Sequence, residues 1–189
     1  NNCGYLGVPF INDCGFDMAG AVFRHLLGPA PLQPRTPFIP AHLQKLRQSE
    51  YFPEPPAGHK NYTPAQMAMS DTAYVYVPAS CGPSATAQSR RACRIHVMYH
   101  GCDSSADIRW PILNSTRIMG LSIVEHAGFN EHAEANGIVV IYPQAHSTDC
   151  WDWDGEFSAP LTNQYDTRAA VQIGVVNRMV NEVAASLLG

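Results

Sequence analysis

The order of elements along the chain predicts a doubly wound α/β sheet. Ile138-Val139-Val140-Ile141-Tyr142 is a continuous β-branched, apolar run. That is the pattern of a strand buried on both faces in a sheet of the parallel type. Residues 165–188 carry apolar side chains at Val171, Val175, Met179, Val183 and Leu187. A repeat of four is expected of a long helix laid on such a sheet.

The remaining elements follow in order. Residues 1–14 read as irregular. Residues 16–27 read as a short helix with Ala19, Val22, Phe23, Leu26 and Leu27 on one face and Gly28 as its stop. Residues 28–66 form a long connection dense in proline, which fixes φ and removes donors. A brief helix over 41–49 is expected within it, and the connection is read as an insertion or flap. Residues 72–77 (TAYVYV) are β-branched and aromatic, hence a strand. Residues 78–91 read as a loop and 93–99 (CRIHVMY) as a second strand. Residues 129–136 are the end of a helix, with Asn136-Gly137 as a left-handed stop. Residues 1–189 fit one domain or a large part of one.

Bulk composition narrows the partners. The apolar fraction is 46%, enough for a core, and the net charge is −4 with only 15% charged residues. No basic run suits nucleic acid, and no apolar run is long enough for a membrane span. The chain opens on Asn1-Asn2-Cys3, as expected after a removed leader or after preceding chain. Six cysteines show neither C-x-x-C nor zinc spacing, so disulfides are expected rather than a metal site. The preferred pairing is sequential: Cys3 with Cys14, Cys81 with Cys93, Cys102 with Cys150. Each of the first two closes a short loop and should stabilise by about 3 kcal/mol or less. Sequons at Asn61 and Asn114 point the same way, to a glycosylated, secreted protein.

The informative motif is the strand that runs into His100-Gly101-Cys102-Asp103-Ser104-Ser105. In α/β-hydrolases the strand before the first helix ends in a tight turn whose main-chain N–H helps hold an oxyanion. A tetrahedral intermediate puts negative charge on the former carbonyl oxygen, and a fixed donor there is worth on the order of 3 kcal/mol. Gly101 is expected to permit the sharp turn. An ordinary β-to-α turn in which His100 caps or packs is the competing reading.

The rest of a serine hydrolase is missing from these residues. No G-x-S-x-G occurs; Gly120-Leu121-Ser122-Ile123-Val124 has glycine on one side and precedes a helix, and Ser104 and Ser105 lie on no nucleophile elbow. Of eight histidines, His96 falls in a strand, His25 and His132 in helices, and His42, His59, His126 and His146 show no recognisable acid partner. A self-contained triad cannot be assembled from them.

Several segments recur in a known order: DCGFDMAGAVFRHLLG at 13–28, Tyr74-Val75-Tyr76-Val77-Pro78, CRIHVMYHGC at 93–102, Gly128-Phe129-Asn130, Ile141-Tyr142-Pro143-Gln144, and Cys150-Trp151-Asp152-Trp153. The set resembles the extracellular poly(3-hydroxybutyrate) depolymerases of the circularly permuted type, over nearly the whole chain except the proline-rich connection. The resemblance implies an α/β-hydrolase three-layer sandwich, circularly permuted and present in part. This chain would be the C-terminal portion of the catalytic domain. It implies that serine, aspartate and histidine lie upstream of Asn1. The residues alone equally allow an N-terminal half that ends before its nucleophile.

Residue by residue, the resemblance assigns little. The main-chain N–H of Cys102 matches an oxyanion donor, which leaves the Cys102 side chain free for a bridge to Cys150. Trp151 and Trp153 match the aromatic segment bordering the substrate crevice. No cofactor or metal is implied. The expected partners are a polyester or small ester and the upstream half of the same protein. Two rivals stand beside this reading. One is an acetyl or feruloyl esterase of plant cell walls; the other is a secreted hydrolase-fold protein without catalysis.

Overall fold

The computed structural model describes residues 1–7, 9–28, 31–54, 63–112, 115–146, 150–157 and 164–188. The sequons at Asn61 and Asn114, and His59, lie outside the described residues or their described side chains. Four strands form the main sheet: β1 (Leu43–Arg47), β2 (Thr72–Tyr76), β3 (Arg94–Val97) and, last in chain order, β6 (Ile138–Tyr142). Their spatial order is β1-β2-β6-β3, with β3 and β6 parallel and the other pairs antiparallel. A separate hairpin joins β4 (Arg109–Ile112) to β5 (Ser115–Ile118).

Period-two alternation sorts the central strands into two cores. Ala73 and Val75 of β2 face the same side as Val139 and Ile141 of β6, against Val175, Val176 and Met179 of α5 (Val171–Leu188). Tyr74 and Tyr76, with Ile138, Val140 and Tyr142, face the other side. There they meet Phe23 of α1 (Met18–Leu27), Val124 of α3 (Ser122–His126), and Phe129 and Ala133 of α4 (Phe129–Asn136). The result is helix on sheet on helix. All five residues of β6 are buried, each such side chain contributing about 1.5–3 kcal/mol of transfer energy.

Helix boundaries follow local chemistry. α1 starts two residues later than the periodicity suggests, because Asp17 caps it by accepting from the Gly20 N–H at 2.9 Å. α4 ends at Gly137, whose φ of 61° is left-handed, as Asn136-Gly137 leads one to expect. α5 begins at Val171 and not at 165, since residues 165–169 are taken up in turns.

Two expectations fail. The helix expected over 41–49 is strand β1 between short 3-10 turns, paired with β2 from Leu43↔Tyr76 to Arg47↔Thr72. The open edge of β2 offers hydrogen bonds that outweigh local helix preference, and Lys45 and Arg47 suit the outer edge of a sheet. The loop expected over 78–91 contains α2 (Ala87–Ala92), capped by Thr86 Oγ1 accepting from Ser89 N–H at 3.1 Å. Its sequence, AQSRRA, has no apolar face to reveal it.

The proline-rich connection is tied to α4 as well as to the sheet: the Gln33 N–H donates to Asn136 Oδ1 at 2.7 Å and the Thr36 N–H to the Glu131 carbonyl at 3.1 Å. The Ile39 N–H donates to Tyr76 Oη at 3.3 Å, and His42 Nδ1 meets Glu134 at 2.8 Å. His42 therefore has an acid partner, contrary to the sequence reading; so does His132, 2.9 Å from Asp17, and His126 lies 4.0 Å from Glu125. These partners are distant in sequence or weakly placed, so spacing could not expose them.

Glu134 gathers three donors: Tyr76 Oη–H at 2.7 Å, His42 Nδ1 at 2.8 Å and the Ala79 N–H at 3.1 Å. Burial alone would raise its pKa, but these hydrogen bonds hold it below the ordinary value of 4.5. The folded carboxyl thus titrates below the unfolded one, and unfolding takes up a proton between the two values. Its stabilisation is whole above the unfolded value and is lost as pH falls through the folded one. Glu134→Gln is expected to cost roughly 1–3 kcal/mol at neutral pH and to flatten the loss of stability on acidification. Urea unfolding at several pH values checks this; an unaltered acid limb contradicts it.

Candidate functional site

β3 passes its last ladder bond from the Met98 N–H to the Ile141 carbonyl, at 2.9 Å, and the chain then turns at His100-Gly101-Cys102-Asp103. The sharp bend is made at Asp103, whose φ is 57°. Gly101 has no left-handed φ, and a Cβ there would meet open space. The expectation that glycine is needed for the turn is therefore corrected: the glycine leaves the outer face of the turn bare.

His100 is 4% exposed, and both ring nitrogens and its carbonyl are engaged. Ring Nε2 accepts from the Ala145 N–H at 3.0 Å, so the proton sits on Nδ1, which donates to the Gly101 carbonyl at 2.7 Å. Burial pushes its pKa down, which keeps the ring neutral. The His100 carbonyl accepts from Trp151 Nε1–H at 2.9 Å. Cys102 itself is exposed, and among the described residues its N–H makes no hydrogen bond.

A buried polar scaffold lies behind the turn. Gln144 is 3% and Gln48 0% exposed. Gln48 Nε2 donates to the carbonyls of Ser70 and Gln144, and its Oε1 accepts from the Gln144 N–H. Gln144 Oε1 in turn accepts from the Ala106 N–H at 2.8 Å, which fixes the chain just after the turn. Ser70 Oγ–H lies 2.6 Å from Asp107 Oδ2 and 3.0 Å from the Ala145 carbonyl. Sequence reasoning missed Gln48, Ser70 and Asp107; two glutamines 96 residues apart give no spacing signal.

Three disulfides are present: Cys3–Cys14, Cys81–Cys93 and Cys102–Cys150. The third brings the Trp151 segment onto the turn. Trp151 packs edge-to-face on Tyr99, with ring centroids 5.0 Å apart, and lies 5.2 Å from the His100 ring. Beside this cluster is a cavity of about 380 Å³, lined chiefly by Tyr99, Trp151, Trp153, Tyr165, Ile173 and Val176. The two tryptophans differ in kind: Trp151 is half-buried with its N–H engaged, whereas Trp153 is 74% exposed. Tyr99 and Tyr165 were not singled out from sequence. Asp152 and Asp166 share the wall. The Asp152 N–H is tied to Gln172 Oε1 at 2.9 Å, and Gln172 Nε2 donates to the Met67 carbonyl, so α5 braces the aromatic segment.

The arrangement presents the Cys102 main-chain N–H, which makes no hydrogen bond among the described residues, on a turn whose neighbours Tyr99 and Trp151 line an aromatic, largely apolar hollow. Such a pair suits a substrate with a polarisable carbonyl and apolar flanks. Among the described residues no cluster of His, Cys, Asp or Glu could hold a metal ion.

Comparison with known proteins adds to this geometry. No family model matches the sequence. The chain is 30% identical over 193 residues to a poly(3-hydroxybutyrate) depolymerase of Delftia acidovorans, covering 100% of this chain and 33% of that protein. It is 25% identical over 197 residues to a polyhydroxybutyrate depolymerase of Talaromyces funiculosus, covering 96% and 50%. Among solved structures it resembles a PHB depolymerase complexed with R3HB trimer, at a TM-score of 0.72 and 23% identity, covering 98% of this chain and 54% of that one. It likewise resembles the crystal structure of PHB depolymerase from Penicillium funiculosum, at 0.71 and 24%, with coverage of 98% and 54%. The fold is therefore the α/β-hydrolase type of these proteins. The chain spans a third to a half of the length of the curated relatives it matches.

The Cys102–Cys150 bridge, 48 residues apart in sequence, should stabilise the chain by about 4 kcal/mol through the unfolded state. Replacing both cysteines by alanine keeps the Cys102 main-chain N–H but unties the turn from the aromatic segment. Denaturant unfolding of that double variant is expected to show the loss; a change under about 1 kcal/mol contradicts the tie.

Proposed function

We propose that the protein carrying this chain is a secreted serine esterase that cleaves the ester bonds of poly(3-hydroxybutyrate) or a closely related polyester. The observation that carries the proposal is the uncommitted Cys102 N–H on a locked turn beside the Tyr99–Trp151–Trp153 hollow. Similarity over the length of this chain to a third to a half of two depolymerases supports it, as does the structural likeness to one depolymerase complexed with an R3HB trimer.

In this reading the serine, its histidine and its acid come from chain upstream of Asn1, in circularly permuted order. The serine attacks the ester carbonyl, and the charge that forms on the oxygen is met by the Cys102 N–H and a second donor from the nucleophile turn. Collapse expels the alcohol end of the polymer and leaves an acyl-serine, which water then hydrolyses. Each donor contributes on the order of 3 kcal/mol to the step. Trp151 and Trp153 hold the chain by apolar area without demanding polar partners, which suits a polyester poor in hydrogen-bond donors. Three disulfides accord with an oxidising compartment, and glycosylation at Asn61 and Asn114 belongs to the same proposal.

The test is hydrolysis of polyhydroxybutyrate film against feruloyl and acetyl esters, with a fluorophosphonate label on the native protein. Film hydrolysis with labelling is expected. Faster turnover of feruloyl or acetyl esters would move the assignment to the cell-wall esterases, and a protein that takes no label would be the inert relative. Trp153→Ala is expected to slow film hydrolysis by about tenfold, since losing roughly 1.4 kcal/mol of apolar burial is one decade.

A further inference from the structure

We propose that His100 is a positioning residue: by holding the Gly101 carbonyl on the inner side of the turn, it aims the Cys102 N–H outward. The inference deepens the esterase reading and rests on it. It follows from peptide geometry. A trans peptide is planar, with its C=O and the next N–H pointing in opposite directions. The Gly101 carbonyl is bound at 2.7 Å by Nδ1–H of a ring that is 4% exposed. The Cys102 N–H of that same peptide is therefore turned away from the ring. It faces the side where Gly101 and Cys102 are exposed and where no side chain at Gly101 intrudes.

The ring can do this only in one tautomer, and the surroundings choose it. The Ala145 N–H points at Nε2 from 3.0 Å and requires a lone pair there, which leaves the proton on Nδ1. Ala145 is itself held by its bridge to Met69, and its carbonyl lies 3.0 Å from the Ser70 hydroxyl oxygen. The main chain of His100 is fixed separately by Trp151 Nε1–H. His100 thus links the end of β6, the aromatic wall and the donor peptide. A histidine that merely filled space would need neither hydrogen bond, and burying them unmade would carry a cost.

The two halves of the ring can be separated by substitution in the full-length protein. His100→Gln places an amide near Nε2 and keeps an acceptor for Ala145, but it leaves the Gly101 carbonyl free. His100→Asn places an amide N–H near Nδ1 and can still hold that carbonyl. Film and soluble-ester kinetics of His100→Gln are expected to show kcat reduced roughly ten- to hundred-fold, approaching the loss of a donor. KM stays near wild type, while the unfolding temperature falls modestly in both variants, since each loses one of the two ring hydrogen bonds. His100→Asn recovers most of kcat. Wild-type kcat in His100→Gln, or equal loss in the two variants, overturns the inference. Should neither variant fold, the tautomer in the wild-type protein decides, read by long-range nitrogen–proton NMR of the His100 ring. Nδ1–H is expected, and Nε2–H overturns the proposal. A wild-type protein without ester hydrolysis defeats the esterase reading instead, which is a distinct result.

Discussion

The Ala145 N–H donates to His100 Nε2, and this bond joins the centre of the sheet to the turn that carries the candidate donor. Its geometry is inherited. β6 is buried on both faces and paired on both edges, so its end cannot shift without disturbing two cores. Pro143, Gln144 and Ala145 leave that strand directly. Gln144 locks to Gln48 and to the Ala106 N–H, and Ala145 to His100. A buried strand thus sets the place of the exposed turn at 101–103 through neutral hydrogen bonds in a poorly solvated region. Such bonds gain strength there and are costly to leave unmade.

Charge plays a small part at this centre. His100 is neutral, its hydrogen-bonded ring partners are main-chain groups, and the side chains behind the turn are two amides and the Ser70 hydroxyl, which bonds the Asp107 carboxylate. A preorganised set of dipoles needs no ion to balance it and leaves the local field to whatever charge develops on a bound carbonyl oxygen. Beyond Asp107 on Ser70, charged groups tie the layers together: Glu134 binds the proline-rich connection to the sheet, and Asp17 with His132 ties α1 to α4. The aromatic wall is separate again. Trp151 donates its N–H to the turn, while Trp153, 74% exposed, forms part of the cavity wall.

Legibility in the sequence followed burial. β6 was readable residue by residue because both faces are apolar, and α4 because Asn136-Gly137 marks its end. β1 was not, since this edge strand exposes Gln44, Lys45 and Arg47 without period-two alternation and owes its form to β2. α2 was not, because it buries no residue. At the site, the turn and the two tryptophans stood out through local motifs. The groups that fix them did not: Gln48, Ser70 and Asp107 reach the turn only through the fold. The glycine of the motif was read for the wrong reason, since the left-handed residue is Asp103.

The central claim concerns one main-chain amide and the oxygen it would meet. It is tested most directly by a crystal structure of the full-length protein reacted with a phosphonate that mimics the tetrahedral intermediate. The account expects a phosphonyl oxygen about 2.7–3.1 Å from the Cys102 nitrogen, with His100 Nδ1 still on the Gly101 carbonyl. A phosphonyl oxygen held by other donors, with the Cys102 N–H facing solvent or the protein interior, would contradict it.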